Sequence, residues 1–159
     1  MKPKIIITEN IELVGMCAKT SLKNSKTEGL WKQFMGKKKE IKEIKNRWHY
    51  SVQRYDTDIE MENFTPDTIF ETCAAVEVNN FEDIPADMEA FLIQGGAYAI
   101  FIHTGATDTF HKTADFIFND WLPKSKYQLD NRKHFEIMKD NYLGPDNPNS
   151  EEEVWVPIK

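Results

Sequence analysis

Apolar residues recur along this chain in two periods, and the order of the two predicts its architecture. Residues 4–19 hold two apolar runs, Ile5-Ile6-Ile7 and Leu13-Val14-Gly15-Met16, interrupted by Thr8-Glu9-Asn10. Such a pattern reads as one long strand, bent or bulged in the middle. Ser25 and Glu28 stand at capping-box spacing ahead of Leu30, Trp31, Phe34 and Met35, so a helix with that buried stripe is predicted over 27–35. Gly36 and Lys37-Lys38-Lys39 end it, and Ile41 and Ile44 pin the following segment to the core. Alternation of period two returns over 48–55 and 69–78, on either side of a loop over 56–67 marked by Thr65-Pro66-Asp67. The first half is therefore β-α-β-β.

After a joint over 79–87 containing Pro85, a short run over 89–93 leads to Gly95-Gly96 and the strand Ala-Tyr-Ala-Ile-Phe-Ile-His over 97–103. That strand is apolar on both alternating faces, as expected of a central strand covered on each side. Thr104-Gly105 then leads into a helix over 107–122, with Phe110, Ala114, Ile117, Phe118 and Trp121 at helical spacing until Pro123. Strands over 133–138 and 153–158, separated by the turn-rich stretch 141–150, complete a second β-α-β-β. One domain over 1–159 is expected, made of half-repeats at approximately 1–80 and 88–159.

Composition narrows the class without naming a chemistry. The chain has 159 residues, 40% hydrophobic and 29% charged, enough for one packed domain. It starts in a β-type run without the apolar core of a signal peptide, and no apolar stretch reaches the roughly 18 residues of a membrane span. A cytoplasmic protein with no membrane role is expected. Cys17 and Cys73 lack a nearby Cys partner and read as two reduced, buried thiols. A formal charge of -6 argues against direct nucleic-acid binding, and the Lys37 to Lys39 run is interleaved with Glu40 and Glu43, which suits a solvated helix end. His49, His103, His111 and His134 have no metal-ligand spacing, Gly95-Gly96 lacks the rest of a phosphate loop, and no Ser or Cys sits in a nucleophile elbow. No metal or cofactor is expected.

Six stretches carry a resemblance. They are Leu30 to Met35 (LWKQFM), Tyr50 to Tyr55 (YSVQRY), Gly96 to Gly105 (GAYAIFIHTG), Trp121 to Tyr127 (WLPKSKY), His134 to Glu136 (HFE) and Ser150 to Lys159 (SEEEVWVPIK). In this order and spacing the chain resembles the GyrI-like effector-binding family along nearly its whole length. The resemblance implies an α+β fold of duplicated β-α-β-β units forming one antiparallel sheet, with two long helices on one face and a ligand cleft on the other. It implies a binder of hydrophobic, planar or cationic small molecules. Because the chain starts directly in its first strand, with no upstream helix-turn-helix, it is similar to the stand-alone members. Those also include a branch that resembles hydrolases of cyclopropane-bearing genotoxic compounds and a gyrase-inhibitory branch, which leaves a hydrolase and a protein partner such as DNA gyrase as alternatives.

The family pattern makes Glu136 the carboxylate of the cleft, sharing a strand face with His134 and Met138. There it would pair with a cationic ligand or, in a hydrolase, act as the catalytic base toward water. Tyr50, Tyr55, Tyr98, Trp121, Tyr127 and Trp155 are the candidate ligand-binding aromatics, since flat faces stack on planar or cationic molecules. Core packing is the competing role for each, and the helical stripe favours it for Trp121.

Overall fold

The computed structural model describes residues 1–55 and 63–159, so the loop expected over 56–67 falls partly outside the described residues. The chain opens with β1 (Lys4–Thr8), β2 (Ile11–Thr20), α1 (Thr27–Lys37), a 3-10 turn (Lys38–Glu40), β3 (His49–Arg54), β4 (Phe70–Glu77) and β5 (Glu89–Ile93). It continues with β6 (Gly96–Thr104), α2 (Phe110–Asp115), a π-helical turn (Phe116–Trp121), α3 (Leu122–Lys124), β7 (His134–Met138) and β8 (Glu151–Pro157). The class is α+β with antiparallel pairing. Two compact units divide the chain: a first unit, Ile11–Ile93, and a second unit, Met1–Asn10 with Gln94–Lys159.

Each unit contains the β-α-β-β order read from the sequence, and each gains a fourth strand. The first unit has strand order β3-β4-β2-β5 and the second β1-β6-β8-β7. This corrects the single bent strand expected over 4–19. β1 pairs with β6, placing Ile6 opposite Tyr98, whereas β2 pairs with β4 and β5. The polar Thr8-Glu9-Asn10 break is the point where the chain changes partners, and Asn10 fixes it by accepting a 2.7 Å hydrogen bond from the Gly95 N–H.

In the first unit, Leu30 and Phe34 of α1 pack on Val14, Met16, Ala74 and Val76, which line one face of β2 and β4. Met35, expected in the buried stripe, is 51% exposed. The expected capping box does not form either. Lys26 occupies the cap position with no side-chain hydrogen bond, and the Lys26 N–H donates instead to Thr20 Oγ1 at 2.9 Å. The opposite face carries Gly15, Cys17, Val52, Cys73 and Ala75. Here Cys17 and Cys73 stand opposite one another with Cα atoms 4.1 Å apart and are joined in a disulfide, correcting the expectation of two thiols. Their sequence separation of 56 hides what the strand register creates.

In the second unit, Ala99 and Phe101 of β6 and Val154 and Val156 of β8 form one sheet face, on which Ile117 and the helical segment pack. The helix is not α-helical throughout. Phe116 and Trp121 are five residues apart, and the π-helical turn between them sets both rings against Phe101, with centroids at 6.4 and 5.1 Å. His103 fastens the helix start: its Nδ1 lies 2.6 Å from Thr113 Oγ1 and its Nε2 lies 3.3 Å from the Ala106 carbonyl. Gly105 is required in that corner, since its φ is +141° and a Cβ would sit 2.5 Å from Thr109 Oγ1. Among the described residues, no helix is long and apolar enough to cross a membrane.

Candidate functional site

Strand parity in the second unit separates two chemistries. Residues facing the helix are Ala99, Phe101 and His103 on β6, and Glu152, Val154 and Val156 on β8. The face turned away from the helix carries Tyr98, Ile100 and Ile102, opposite Pro157, Trp155 and Glu153. On β7, Phe135 pairs with Trp155 and Ile137 with Glu153, so both belong to this averted face.

Three aromatic rings lock together there. Phe135 and Trp155 stack at 5.0 Å with an interplanar angle of 27°, and Tyr98 meets them edge-on at 5.4 and 5.6 Å. Tyr98 is fully buried; its hydroxyl donates toward the carbonyls of Gln94 (3.3 Å) and Lys133 (3.4 Å), and burial raises its pKa. The Arg132 guanidinium lies 4.6 Å from the Tyr98 ring centroid, a cation–π contact. Arg132 Nη2 donates to the carbonyls of Ala97 (2.6 Å) and Ile158 (3.1 Å), and Nε donates to Asp130 Oδ2 (2.6 Å). That hydrogen bond holds the Asp130 carboxyl below its ordinary range. Gly96, at φ +146°, leaves room for the guanidinium, because a Cβ would approach Arg132 Nη1 to 2.7 Å.

Beside the rings lies a hollow of about 410 Å³. Its apolar wall is Ile6 of β1, Ile100 and Ile102 of β6, and Trp155. Lys2, Lys4, Lys139 and Glu153 supply its polar lining. The Trp155 indole N–H donates to Glu153 Oε1 at 3.0 Å, and Lys139 Nζ lies 3.1 Å from Glu153 Oε2. The carboxylate on this face is therefore already engaged.

The expected site residues are only partly brought together. Tyr98 and Trp155 share the averted face and touch. Glu136 does not join them: its register partner is Val154, which places it on the helix-facing side. The neighbouring His134 contacts Phe118 of the helical segment at 6.0 Å, and burial pushes its imidazole down to about 4. Trp121 and Tyr127 stack on each other at 6.1 Å against the helix-side core. Tyr50 and Tyr55 belong to the first unit. Tyr50 is buried and donates to Glu77 Oε1 at 2.9 Å, while Tyr55 packs with Phe64 and Phe70. Sequence reasoning overlooked Glu153, Lys139, Arg132, Lys2 and Lys4. The parity of Glu153 with Trp155 was the available signal, since residues two apart in a strand share a face. Among the described residues, no group of three His, Cys, Asp or Glu side chains is placed to hold a metal ion.

An antiparallel α+β fold with an aromatic hollow on the sheet face away from the helix is the construction of a small-molecule binding domain. The chain belongs to the GyrI-like family: residues 1–159 match the GyrI-like small molecule binding domain. The transcriptional regulator BrlR of Pseudomonas aeruginosa is 22% identical over 160 residues, covering 99% of this chain and 56% of BrlR, so the chain spans about half the length of that relative. Two solved structures share the fold. SAV2435 bound to tetraphenylphosphonium has a TM-score of 0.74 at 14% identity, covering 100% of this chain and 94% of its own. The C-terminal domain of EcmrR has a TM-score of 0.72 at 14% identity, covering 99% and 97%.

Proposed function

We propose that this protein binds small, planar, apolar molecules on the averted face of the second unit. Trp155, Ile100 and Ile102 form the contact surface, and Tyr98, Phe135 and Arg132 hold it rigid. The observation that carries this reading is the hollow of about 410 Å³ beside an interlocked aromatic trio, a volume in the range of ligand sites, with four of its eight lining residues apolar. Rigid aromatic walls lose little entropy when a flat molecule stacks on them. Names among the relatives support a sensing role: BrlR is a transcriptional regulator, and SAV2435 was solved with tetraphenylphosphonium, an aromatic cation. Hydrolysis is the weaker reading, because Glu136, the base it would need, lies on the helix-facing side, and Glu153, the carboxylate beside the hollow, is engaged by Lys139 and Trp155.

Calorimetric titration with 2-naphthamide, a neutral planar probe, tests the proposal. A Kd of about 100 μM or tighter is expected for a ligand of this size. Ile102→Glu, at a half-exposed position in the wall, should weaken binding about tenfold by placing a charge against the probe. Glu136→Gln should leave binding within about twofold, the scale of a change outside the contact surface. Loss of binding in Glu136→Gln with full binding in Ile102→Glu would overturn the assignment.

A further inference from the structure

The second unit ends in a strand whose outer edge is apolar. β1 pairs with β6 on one side, and among the described residues its other side has no strand partner, since β1 stands at the end of the strand order. Such an edge offers a row of backbone N–H and C=O groups, which proteins commonly blunt with charge, proline or a bulge. Here Pro3 and Lys4 guard only the beginning. The centre is Ile5-Ile6-Ile7, with Ile5 39% and Ile7 86% exposed. Both of these stand on the helix-facing side, beside Ala99 and Ala97, and are left in water.

The pattern of the strand selects its partner. Lys4-Ile5-Ile6-Ile7-Thr8 reads polar, three apolar, polar in either direction, and a two-fold contact between identical strands needs a pattern that is its own complement. Three antiparallel two-fold registers pair an isoleucine with itself. Centred on Ile6, the pairing also sets Ile5 against Ile7 and Lys4 against Thr8, and the two Lys4 side chains stand four positions apart, about 14 Å, where salt screens them. Centred on Ile5, it sets Lys4 against Ile6 and halves the distance between the lysines. Centred on Ile7, it sets Ile5 against Glu9. Only the register centred on Ile6 covers every isoleucine with another.

The hollow ties this edge to binding. Its lining runs from Glu153 and Trp155 of β8 through Ile100 and Ile102 of β6 to Lys4 and Ile6 of β1, where the unit has no further strand. A second β1 one strand spacing away, about 4.8 Å, continues that wall.

We infer that two copies of this chain join through antiparallel pairing of their β1 edges, centred on Ile6, and that each copy's Ile6 and Thr8 extend the hollow of the other. The pairing stands on the edge itself, and the shared hollow rests on the function proposed above. By linkage, a ligand that touches both copies favours the pair, and the pair holds the ligand more tightly.

Sedimentation velocity of the full chain from about 1 μM to about 1 mM tests both statements. The mass should rise to twice that of one chain with a Kd of about 10 to 100 μM, as suits an interface below the standard size. Ile7→Lys sets a charge against the partner's Ile5 and should weaken the pair at least about tenfold. Ile7 is exposed, so the variant should keep its fold, which circular dichroism checks. Saturating 2-naphthamide should tighten the wild-type pair about fivefold. A single-chain mass at the highest concentration would overturn the pairing and leave the small-molecule function standing. So would a pair that Ile7→Lys leaves intact, since another surface would then carry it, and growth past two copies would overturn the closed two-fold contact. A pair lost in Ile7→Lys yet indifferent to bound 2-naphthamide would overturn the shared hollow. If calorimetry detects no 2-naphthamide binding while the pair is present, the proposed function and the shared hollow fall together and the edge contact stands.

Discussion

The two units share a topology and differ in what they put on the face turned away from the helix. In the first unit that face is crossed by a disulfide and flanked by ion pairs. Gly15, Ala75 and the Cys17–Cys73 disulfide form its centre. At one end, Arg54 lies 2.6 Å from both Glu71 and Glu89 and 5.0 Å over the Phe91 ring. At the other, Glu77 accepts from Tyr50 at 2.9 Å and pairs with Lys45 at 3.2 Å. In the second unit the equivalent strands carry Tyr98, Phe135 and Trp155, with a hollow beside them. One β-α-β-β plan thus carries a disulfide and ion pairs on this face in one copy and an aromatic trio beside a hollow in the other, because side chains vary on a shared fold.

Three perturbations sharpen this contrast. The largest effect is expected from the disulfide. Closing a 56-residue loop stabilises by up to about 4 kcal/mol through the unfolded chain. Cys17→Ser with Cys73→Ser should lose about 2–4 kcal/mol in urea denaturation and leave the affinity for 2-naphthamide unchanged. A large loss of affinity at intact fold would show that this face takes part in binding. Next, Gly15→Ala should cost about 3 kcal/mol, because the added Cβ would lie 2.1 Å from the Ala74 carbonyl oxygen and 2.7 Å from Ala75 Cβ. A neutral outcome in the same assay would mean that β2 and β4 are not pressed together as described.

The third perturbation concerns the helix side of the second unit. Burial pushes the Glu152 carboxyl up from 4.5 to about 7, and the half-buried Tyr142 hydroxyl is raised as well, by burial and by the nearby Glu152 and Asp146. A carboxyl with a raised folded pKa favours the folded state while protonated. Its contribution is complete below about pH 4.5 and is lost as pH rises to about 7. Glu152→Gln should therefore match the wild type near pH 4.5 and exceed its stability by about 2 kcal/mol at pH 8. Equal stability of the two proteins at pH 8 would contradict this. His134 acts in the opposite sense, since its lowered pKa of about 4 makes acid below about pH 6.5 destabilising.

Element order was legible in the sequence because periodicity reports burial. The helix start at Thr27, the corner at Thr104-Gly105 and the final strand all follow from local pattern. Partner choice was not legible. Nothing in Ile5-Ile6-Ile7 says that β1 pairs with β6 rather than continuing β2, and nothing in the spacing of Cys17 and Cys73 says that they meet. The site suffered from the same gap. The sequence singles out Tyr98 and Trp155 because aromatic residues in apolar strands stand out, and the register puts both on one face, whereas the family pattern sets Glu136 beside them and its strand register faces it the other way. Lys2 and Lys4 looked like an ordinary charged terminus until β1 was paired with β6.

The central claim is that the ligand surface is the averted face of the second unit. Heteronuclear NMR during titration with 2-naphthamide tests it most directly, with the Trp155 indole N–H assigned from its loss in Trp155→Phe. The account predicts the largest shifts at that indole N–H and at the methyl groups of Ile6, Ile100 and Ile102, with Val52 in the first unit and Ile117 under the helix nearly still. Shifts centred on Val52 or Ile117, with a silent Trp155 indole, would contradict it.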